Sequence, residues 1–321
     1  MFPFLLSALA LFLNPSADAT LPASEIRQSV QRSLPYIEER GDWWIQKKKC
    51  MSCHRVSTMV WSLREASRQG FSVSERVDEW TDWAVTESLS ENDKGEIKAH
   101  KNREGVAQLI VALRGSKEHA SDVQKLATLI TSQQEENGSW KPCGQLPSQK
   151  RPKPETAAVS AMWITMAVSI QTSPTIADDI LANARKYIAT DTPRKSTEWF
   201  TSRLMLANTD GDENTREESV RQLKESQRED GGWGWLAEDD SDALGTGLAL
   251  FALKESGVPA NDAAIVRATR FLIETQKEDG SWDVRGTKAN RKDKVQETAT
   301  YWGTTWAVLG LLAVLPEMTT R

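Results

Sequence analysis

The chain has 321 residues, 39% of them hydrophobic, and carries 40 basic and 45 acidic side chains, for a formal net charge of −5. This length supports a large buried core in one or two domains, and the slight acidic excess does not suit a protein that binds nucleic acid. Only three cysteines are present, which excludes a disulfide-stabilised scaffold, whereas the 13 tryptophans require a structural explanation.

The first 19 residues have the pattern of an export signal. An apolar run at residues 2–13 precedes the small-residue sequence Ala17-Asp18-Ala19. This pattern is typical of a secretory signal peptide, here cleaved after Ala19. The sequence therefore predicts a secreted or periplasmic protein with a single mature domain over residues 20–321. An uncut membrane anchor is the alternative, although the apolar run is short for a bilayer span.

A C-x-x-C-H motif occupies residues 50–54. Its spacing lets the thiols of Cys50 and Cys53 add to the two vinyl groups of one haem, while His54 reaches the iron as proximal ligand. The motif therefore predicts a covalently attached haem c. An export signal agrees with this, because covalent haem attachment takes place outside the bacterial cytoplasm. A chance pair of cysteines, a reducible disulfide and half of a zinc site are the other interpretations.

His100 is the candidate for the second axial ligand of the predicted iron. Met59 lies on the same predicted helix as His54, so it cannot reach the opposite face of the haem. His100 precedes the next apolar helix at nearly the position of His54, which places the two loops side by side. A solvated histidine is the alternative. His119 is expected to be exposed, and Cys143 to be a free, partly buried thiol or, less simply, a metal ligand.

Three copies of the pattern Q-x-E-[DN]-G-x-W end at Trp140, Trp233 and Trp282. The last two tryptophans are 49 residues apart and the first two 93, close to two periods, and two further periods lead back to Trp44. Repeats of this length are helix pairs or propeller blades. The glycine in each copy, such as Gly280, suits a helix exit, which favours helix pairs. We predict about twelve helices in six hairpins.

Each copy is followed by a polar loop and a strongly apolar helix, over residues 155–170, 241–255 and 297–315. One apolar and one amphipathic helix per hairpin predict a ring with the apolar helices inside. Five aromatic residues of the predicted inner helices, the first of which follows residues 50–54, either line an apolar pocket or fill the core. They are Trp61, Trp163, Tyr301, Trp302 and Trp306.

The repeated motif resembles the QW repeats of squalene-hopene cyclases and their prenyltransferase-like relatives. The resemblance covers most of the mature chain and is weakest over residues 176–213. It implies an all-α fold, the α/α toroid. The motif tryptophan is expected to pack between outer helices and the glutamine to cap a helix end, which are structural roles. Aligning Trp44 with the motif places residues 50–54 in the loop and first turn of the first inner helix.

The resemblance also implies an acidic site at Asp240 and Asp242. These residues match two positions of the D-x-D-D motif with which the cyclases protonate an alkene, but Ala243 replaces the fourth. Capping of the helix N-terminus is the alternative for Asp242. Glu155 and Glu297 occupy the same point of two other hairpins, which favours capping over catalysis.

These observations predict an exported haem c protein on a cyclase-like toroid, with a role in electron transfer, redox sensing or the binding of a hydrophobic small molecule. Its partner would be a redox protein or that small molecule, membrane contact is not required, and a haem-dependent oxidoreductase is a further form of this hypothesis. One alternative is a class II terpenoid cyclase-like enzyme that uses Asp240 and Asp242. Another is a zinc-binding or scaffolding repeat protein, with Cys50, Cys53 and His54 as zinc ligands.

Overall fold

Twelve α-helices of the described chain alternate between an outer and an inner ring. The computed structural model describes residues 21–51, 53–171, 178–190, 192–290 and 293–316. The outer helices are α1 (Ala23–Lys48), α3 (Val77–Leu89), α5 (Ala120–Thr131), α7 (Asp178–Ile188), α9 (Glu213–Glu225) and α11 (Ala263–Thr275). The inner helices are α2 (Thr58–Arg68), α4 (Arg103–Ala112), α6 (Lys153–Ser169), α8 (Thr197–Asp210), α10 (Ala243–Glu255) and α12 (Glu297–Val314). The prediction of six helical hairpins is confirmed within these ranges.

The inner helices close into a ring. Each packs against the next, from α2 through α4, α6, α8 and α10 to α12, and α12 packs against α2. Each outer helix packs against the inner helix that precedes it, and α1 packs against α12. This arrangement is the predicted α/α toroid.

The two kinds of helix differ in how much of their surface they bury. The inner helix α12 buries every residue from Ala299 to Leu312, because it is covered on all sides by other helices. The outer helix α11 buries only one stripe, which includes Ile265 and Leu272, and leaves the opposite side in water. The pattern of apolar residues thus assigns each helix to its ring.

The glutamines of the QW segments connect neighbouring outer helices. Gln276 Nε2 donates to the carbonyl oxygen of Ser29 in α1 at 2.9 Å. Gln134 and Gln227 make the same bond to α7 and α11, at 2.9 and 2.8 Å. The expectation that this glutamine caps a helix end is wrong, because it reaches a carbonyl of the next outer helix instead.

Two of the three QW tryptophans satisfy carbonyls at helix ends, whereas the buried Nε1 of Trp140 has no hydrogen-bond partner among the described residues. Trp233 Nε1 donates to Leu223 O at 2.9 Å, and Trp282 Nε1 donates to Leu272 O at 2.7 Å. Both acceptors lie in the last turn of an outer helix, where carbonyls lack intrahelical partners. The motif is therefore structural, as predicted, and the indoles of Trp233 and Trp282 have the role expected of the glutamine.

Trp44 does not match the other motif tryptophans. It lies inside α1, and its indole Nε1 donates to Cys50 O at 2.8 Å. The proposed alignment of Trp44 with the repeat is therefore wrong. The predicted position of residues 50–54, just before the first inner helix, is nevertheless correct. A loop at residues 49–51 and a π-helical turn, Cys53–Ser57, precede the inner helix α2.

The predicted export signal at residues 1–19 lies outside the described residues, so secretion stays a prediction. Among the helices that the structure describes, none combines the length and the apolar character that a membrane span requires.

Candidate functional site

Cys50 lies in a short loop that is fixed at several points. Lys49 ends α1 in the left-handed conformation, with φ of 47°, and its N–H donates to Ile45 O. Asn102 Nδ2, from the loop before α4, donates to Met51 O at 2.7 Å. This bond places the loops before α2 and α4 side by side, as predicted from the repeat.

Cys50 lines a cavity of about 300 Å³ between the starts of α2 and α4. The apolar and sulfur-bearing part of its wall includes Trp44, Cys50, Met51, Val106 and Cys143. Its charged part includes Lys49, Glu87, Lys98 and Lys101. A volume of this size is in the range of small-molecule sites. Burial raises the pKa of the Cys50 thiol, and the charge of Glu87 raises it further, so the thiol is neutral at pH 7.

Ser52 and the side chains of Cys53 and His54 lie outside the described part of the chain, so haem attachment stays a prediction. His100 lies in a 3₁₀ turn, Lys98–Lys101, whose lysines line the cavity, but His100 itself does not. Its Nε2 is buried and has no hydrogen-bond partner among the described residues.

His119 is buried rather than exposed, contrary to the expectation from sequence. Its relative exposure is 6%, and its Nε2 lies 3.7 Å from Asp82 Oδ1. Glu118 brings a third possible ligand atom into this group. His119 precedes the amphipathic pattern of α5 and is buried by its contact with α3. The sequence around His119 therefore does not indicate that it is buried.

Asp242 caps the inner helix α10. Its Oδ1 accepts from Gly245 N at 2.8 Å, and its Oδ2 accepts from Trp235 N at 3.1 Å. Burial raises the pKa of Asp242 to about 6, although these backbone N–H groups oppose the shift. Asp240 is exposed and pairs with Arg285 at 3.1 Å. The two aspartates therefore have separate environments, and both oxygens of Asp242 are engaged by the backbone.

Glu155 and Glu297 do not cap their own helices. Glu155 accepts from the backbone N–H groups of Ser196 and Lys195 at 2.7 and 3.1 Å, just before α8. Glu297 pairs with the buried Arg55 just before α2. Neither α6 nor α12 has a side-chain cap. The capping interpretation is thus wrong for these two residues, each of which fastens the start of the following inner helix around the ring.

A second group of buried polar side chains lies between α4, α6 and α8. Glu104 Oε2 accepts from Ser160 Oγ at 2.7 Å, and Glu198 Oε2 accepts from Arg151 Nη1 at 2.8 Å. Burial raises the pKa of Glu104 to about 7, and the negative charge of Glu198 adds to this shift while Arg151 opposes it. Glu104 therefore holds a proton close to neutral pH.

Several atoms of this buried group have no hydrogen-bond partner among the described residues. They are Oε1 of Glu104, both amide atoms of Gln108, Nε and Nη2 of Arg151, and Oε1 of Glu198. Buried polar atoms in folded proteins normally have partners, and internal water supplies them where side chains do not. The arrangement is suited to holding water and a proton. Acids at the starts of α4 and α8 were the available sequence signal, but nothing in the sequence indicated that Glu104 lies near Glu198 and Arg151.

Aromatic side chains fill the centre of the ring. Trp61 of α2 contacts Trp163 of α6, Phe251 of α10 and Trp306 of α12, with ring centroids 6.3, 5.3 and 5.5 Å apart. Since α2, α6 and α10 are not neighbours in the ring, their side chains can meet only at its centre. The core interpretation of these aromatic residues is therefore the correct one, and Tyr301 and Trp302 are buried as well.

Sequence comparison finds similarity to terpenoid cyclases in the C-terminal part of the chain. The family described as squalene-hopene cyclase C-terminal domain matches residues 196–319. Lanosterol synthase of Homo sapiens is 46% identical over 57 residues, which are 18% of this chain and 8% of that enzyme. Drimenyl diphosphate synthase of Streptantibioticus cattleyicolor is 35% identical over 75 residues, which are 23% of this chain and 14% of that enzyme. The chain thus matches only a small part of the length of these relatives.

Solved structures share the fold over nearly the whole chain. The type II terpene cyclase MstE from Scytonema, in complex with geranylgeranyl dihydroxybenzoate, has a TM-score of 0.55 at 14% identity and covers 91% of this chain and 98% of its own. An unsaturated glucuronyl hydrolase from Streptococcus agalactiae has a TM-score of 0.58 at 10% identity, with 97% of each chain covered. These likenesses establish the toroid, and the sequence match makes its C-terminal part cyclase-like.

Proposed function

We propose that this protein is an exported redox carrier or sensor that holds one covalent haem c on a cyclase-type toroid. Cys50 and Cys53 would hold the haem through thioether bonds, and His54 would be the proximal ligand of the iron. The observation that carries the proposal is the cavity of about 300 Å³ on whose wall Cys50 lies. When bound, the haem supplies an iron that changes its oxidation state by one electron.

The residues around the cavity suit a haem. Trp44, Met51 and Val106 offer apolar surface to a porphyrin, while Lys49 and Lys101 offer positive charge to its two propionates. Attachment needs no oxidant, because each thiol adds across a vinyl group and its hydrogen goes to the neighbouring vinyl carbon. The C-x-x-C-H spacing is the second support, and the leader-like residues 1–19 are the third, since attachment takes place outside the bacterial cytoplasm.

The test is production of the full chain in a host with periplasmic haem-attachment machinery. We expect one haem per chain that remains attached after denaturation, measured from the reduced pyridine complex. The Cys50→Ala, Cys53→Ala double variant should lose the haem, and Cys143→Ala is the matched control that should keep it covalently attached. Stoichiometric zinc without haem absorbance in the wild-type protein would instead support the zinc alternative.

A cyclase-like acid chemistry at Asp242 is the second candidate. The match of residues 196–319 to the cyclase domain and the pKa of Asp242 near 6 favour it. Against it, the oxygens of Asp242 accept backbone N–H bonds, Asp240 pairs at the surface with Arg285, and aromatic side chains occupy the centre of the ring.

Incubation with squalene and shorter linear isoprenoids separates the two candidates. We expect no cyclised product from the wild-type protein or from Asp242→Asn. A product that requires Asp242 but not Cys50 and Cys53 would reverse the ranking of the two functions.

A further inference from the structure

A histidine and two carboxylates meet where the outer helices α3 and α5 lie against each other. Asp82 belongs to α3, while Glu118 and His119 lie in the turn that leads into α5. One possible ligand atom from each of these side chains lies within 4.8 Å of the other two. His119 directly precedes α5 but does not cap it, and its imidazole faces α3 instead. The fold thus brings together three groups that can bind a metal ion.

The imidazole of His119 is buried and directed at the acids without a hydrogen bond to them. The His119 side chain is only 7% exposed, and its Nε2 lies 3.7 Å from Asp82 Oδ1. This distance is too long for a hydrogen bond. In a tetrahedral zinc site with bonds of about 2.0–2.1 Å, neighbouring ligand atoms are roughly 3.3 Å apart. The two atoms are therefore close to the separation that a shared ion requires.

The two carboxylates also lack a positive side chain between them. Neither Asp82 nor Glu118 lies within ion-pair distance of a lysine or arginine among the described residues. Asp122, one turn further along, does pair with Lys125 at 2.9 Å. Two negative charges so close together repel each other, and a bound divalent cation would remove this repulsion. One imidazole nitrogen with carboxylate oxygens is a ligand set that suits zinc.

The pair α3 and α5 lacks the connection that joins other outer helices. The glutamines of the three QW segments join α5 to α7, α9 to α11 and α11 to α1. The segment after α3, residues 90–97, has no QW motif. An ion shared by Asp82 and His119 would supply the connection that is missing there.

We propose that Asp82, Glu118 and His119 bind one zinc ion that fastens α3 to the start of α5. His119 supplies Nε2, each acid supplies one carboxylate oxygen, and a water molecule completes the tetrahedron on the exposed side. The site uses no residue of the C-x-x-C-H motif or of the cavity wall at Cys50. It therefore does not depend on the proposed haem.

Isothermal titration calorimetry with zinc chloride tests the site. The parent is the full chain with Cys50→Ala and Cys53→Ala, so that the C-x-x-C-H thiols do not bind the ion. We expect one zinc per chain. His119→Gln and Asp82→Asn should each weaken binding at least about tenfold, while the matched control Asp122→Asn should bind as the parent does. No zinc binding by the parent, or equal affinity in Asp82→Asn, overturns the proposal.

Thermal unfolding with and without zinc tests whether the ion fastens the two helices. Replacing the buried His119 can itself destabilise the chain, so this experiment uses the exposed Asp82 and Glu118. Excess zinc should raise the melting temperature of the parent and of Asp122→Asn, because the ion binds only the folded chain. It should raise that of Asp82→Asn and Glu118→Gln much less. An equal rise in all four proteins would place the ion elsewhere and overturn the proposal.

Discussion

Glu104 is a residue whose ionisation opposes folding. Its carboxyl is buried at the start of α4, next to the negative charge of Glu198, and these surroundings raise its pKa to about 7. In the unfolded chain the same group has a pKa near 4.5. Between these two values the folded state binds the proton and the unfolded state does not, so stability falls as the pH rises through this window.

We expect Glu104→Gln to separate progressively from the wild type as the pH rises. The amide mimics the protonated carboxyl and can still accept from Ser160, so the two proteins should be similar in stability at pH 4.5. Above pH 7 the variant should be more stable by roughly 3 kcal/mol, because the pKa of this carboxyl is about 7 in the folded chain and near 4.5 in the unfolded chain. Denaturant unfolding across this pH range measures the difference. The exposed Glu136→Gln is the control, and parallel curves for wild type and Glu104→Gln would contradict the assignment.

The sequence predicts single-residue roles well where they depend on local backbone and poorly where they depend on a neighbouring hairpin. The cap formed by Asp242 could be predicted from its place before α10. Glu155 lies in the first turn of α6, yet it bonds to the start of α8, because in a ring the nearest free N–H groups belong to the next hairpin. The pairing of Glu198 with Arg151 follows from the same geometry and has no local signal.

At the scale of elements, the QW segment is a tight connection between two outer helices. Gly280 has φ of +82°, and a side chain there would place its Cβ 2.1 Å from Arg32 O of α1. Gly257, in the loop between α10 and α11, has nearly the same φ of +85° but no atom within 4 Å of such a Cβ. Comparing substitutions at these two glycines separates the loss of stability due to the backbone conformation from the loss due to the close contact.

Gly280→Ala should therefore destabilise the protein much more than Gly257→Ala. We expect about 1 kcal/mol for Gly257→Ala, from the left-handed conformation alone. For Gly280→Ala we expect at least about 3 kcal/mol, because α1 must also move away. Thermal or denaturant unfolding of the two variants tests this. Similar losses for both would mean that the segment does not hold α1.

At the scale of the whole molecule, the repeats predicted the ring but not the cavity. The regular spacing of three near-identical QW segments and the apolar character of α6, α10 and α12 were enough to predict six hairpins. The cavity is built from three loops, residues 49–51, 98–102 and 143–145. Each loop alone is an ordinary polar connection, and only closure of the first three hairpins against one another places Cys50 and Cys143 on the wall of one cavity.

The ring also has a seam, where its last hairpin meets its first. Gln276 and Gly280 bond to Ser29 and Ser33 of α1, and Thr305 bonds to Thr58 of α2 at 3.0 Å. These partners are 247 residues apart in the chain. Contacts across so long a loop carry a high entropic cost before they form, so the seam should close late in folding, after the hairpins that are adjacent in sequence have assembled.

The position of the seam is consequently a property of the chain order rather than of the fold. Leu21 and Pro316 line the same cavity, so a short flexible linker can join them, and new ends can be opened at the exposed Gly115 between α4 and α5. This circular permutant should keep the stability of the parent within about 1 kcal/mol. Its late folding step should move to the contacts between α4 and α5, as hydrogen exchange during refolding would show. If the amide protons between α12 and α1 are still the last to be protected from exchange, local sequence rather than chain connectivity decides where the ring closes.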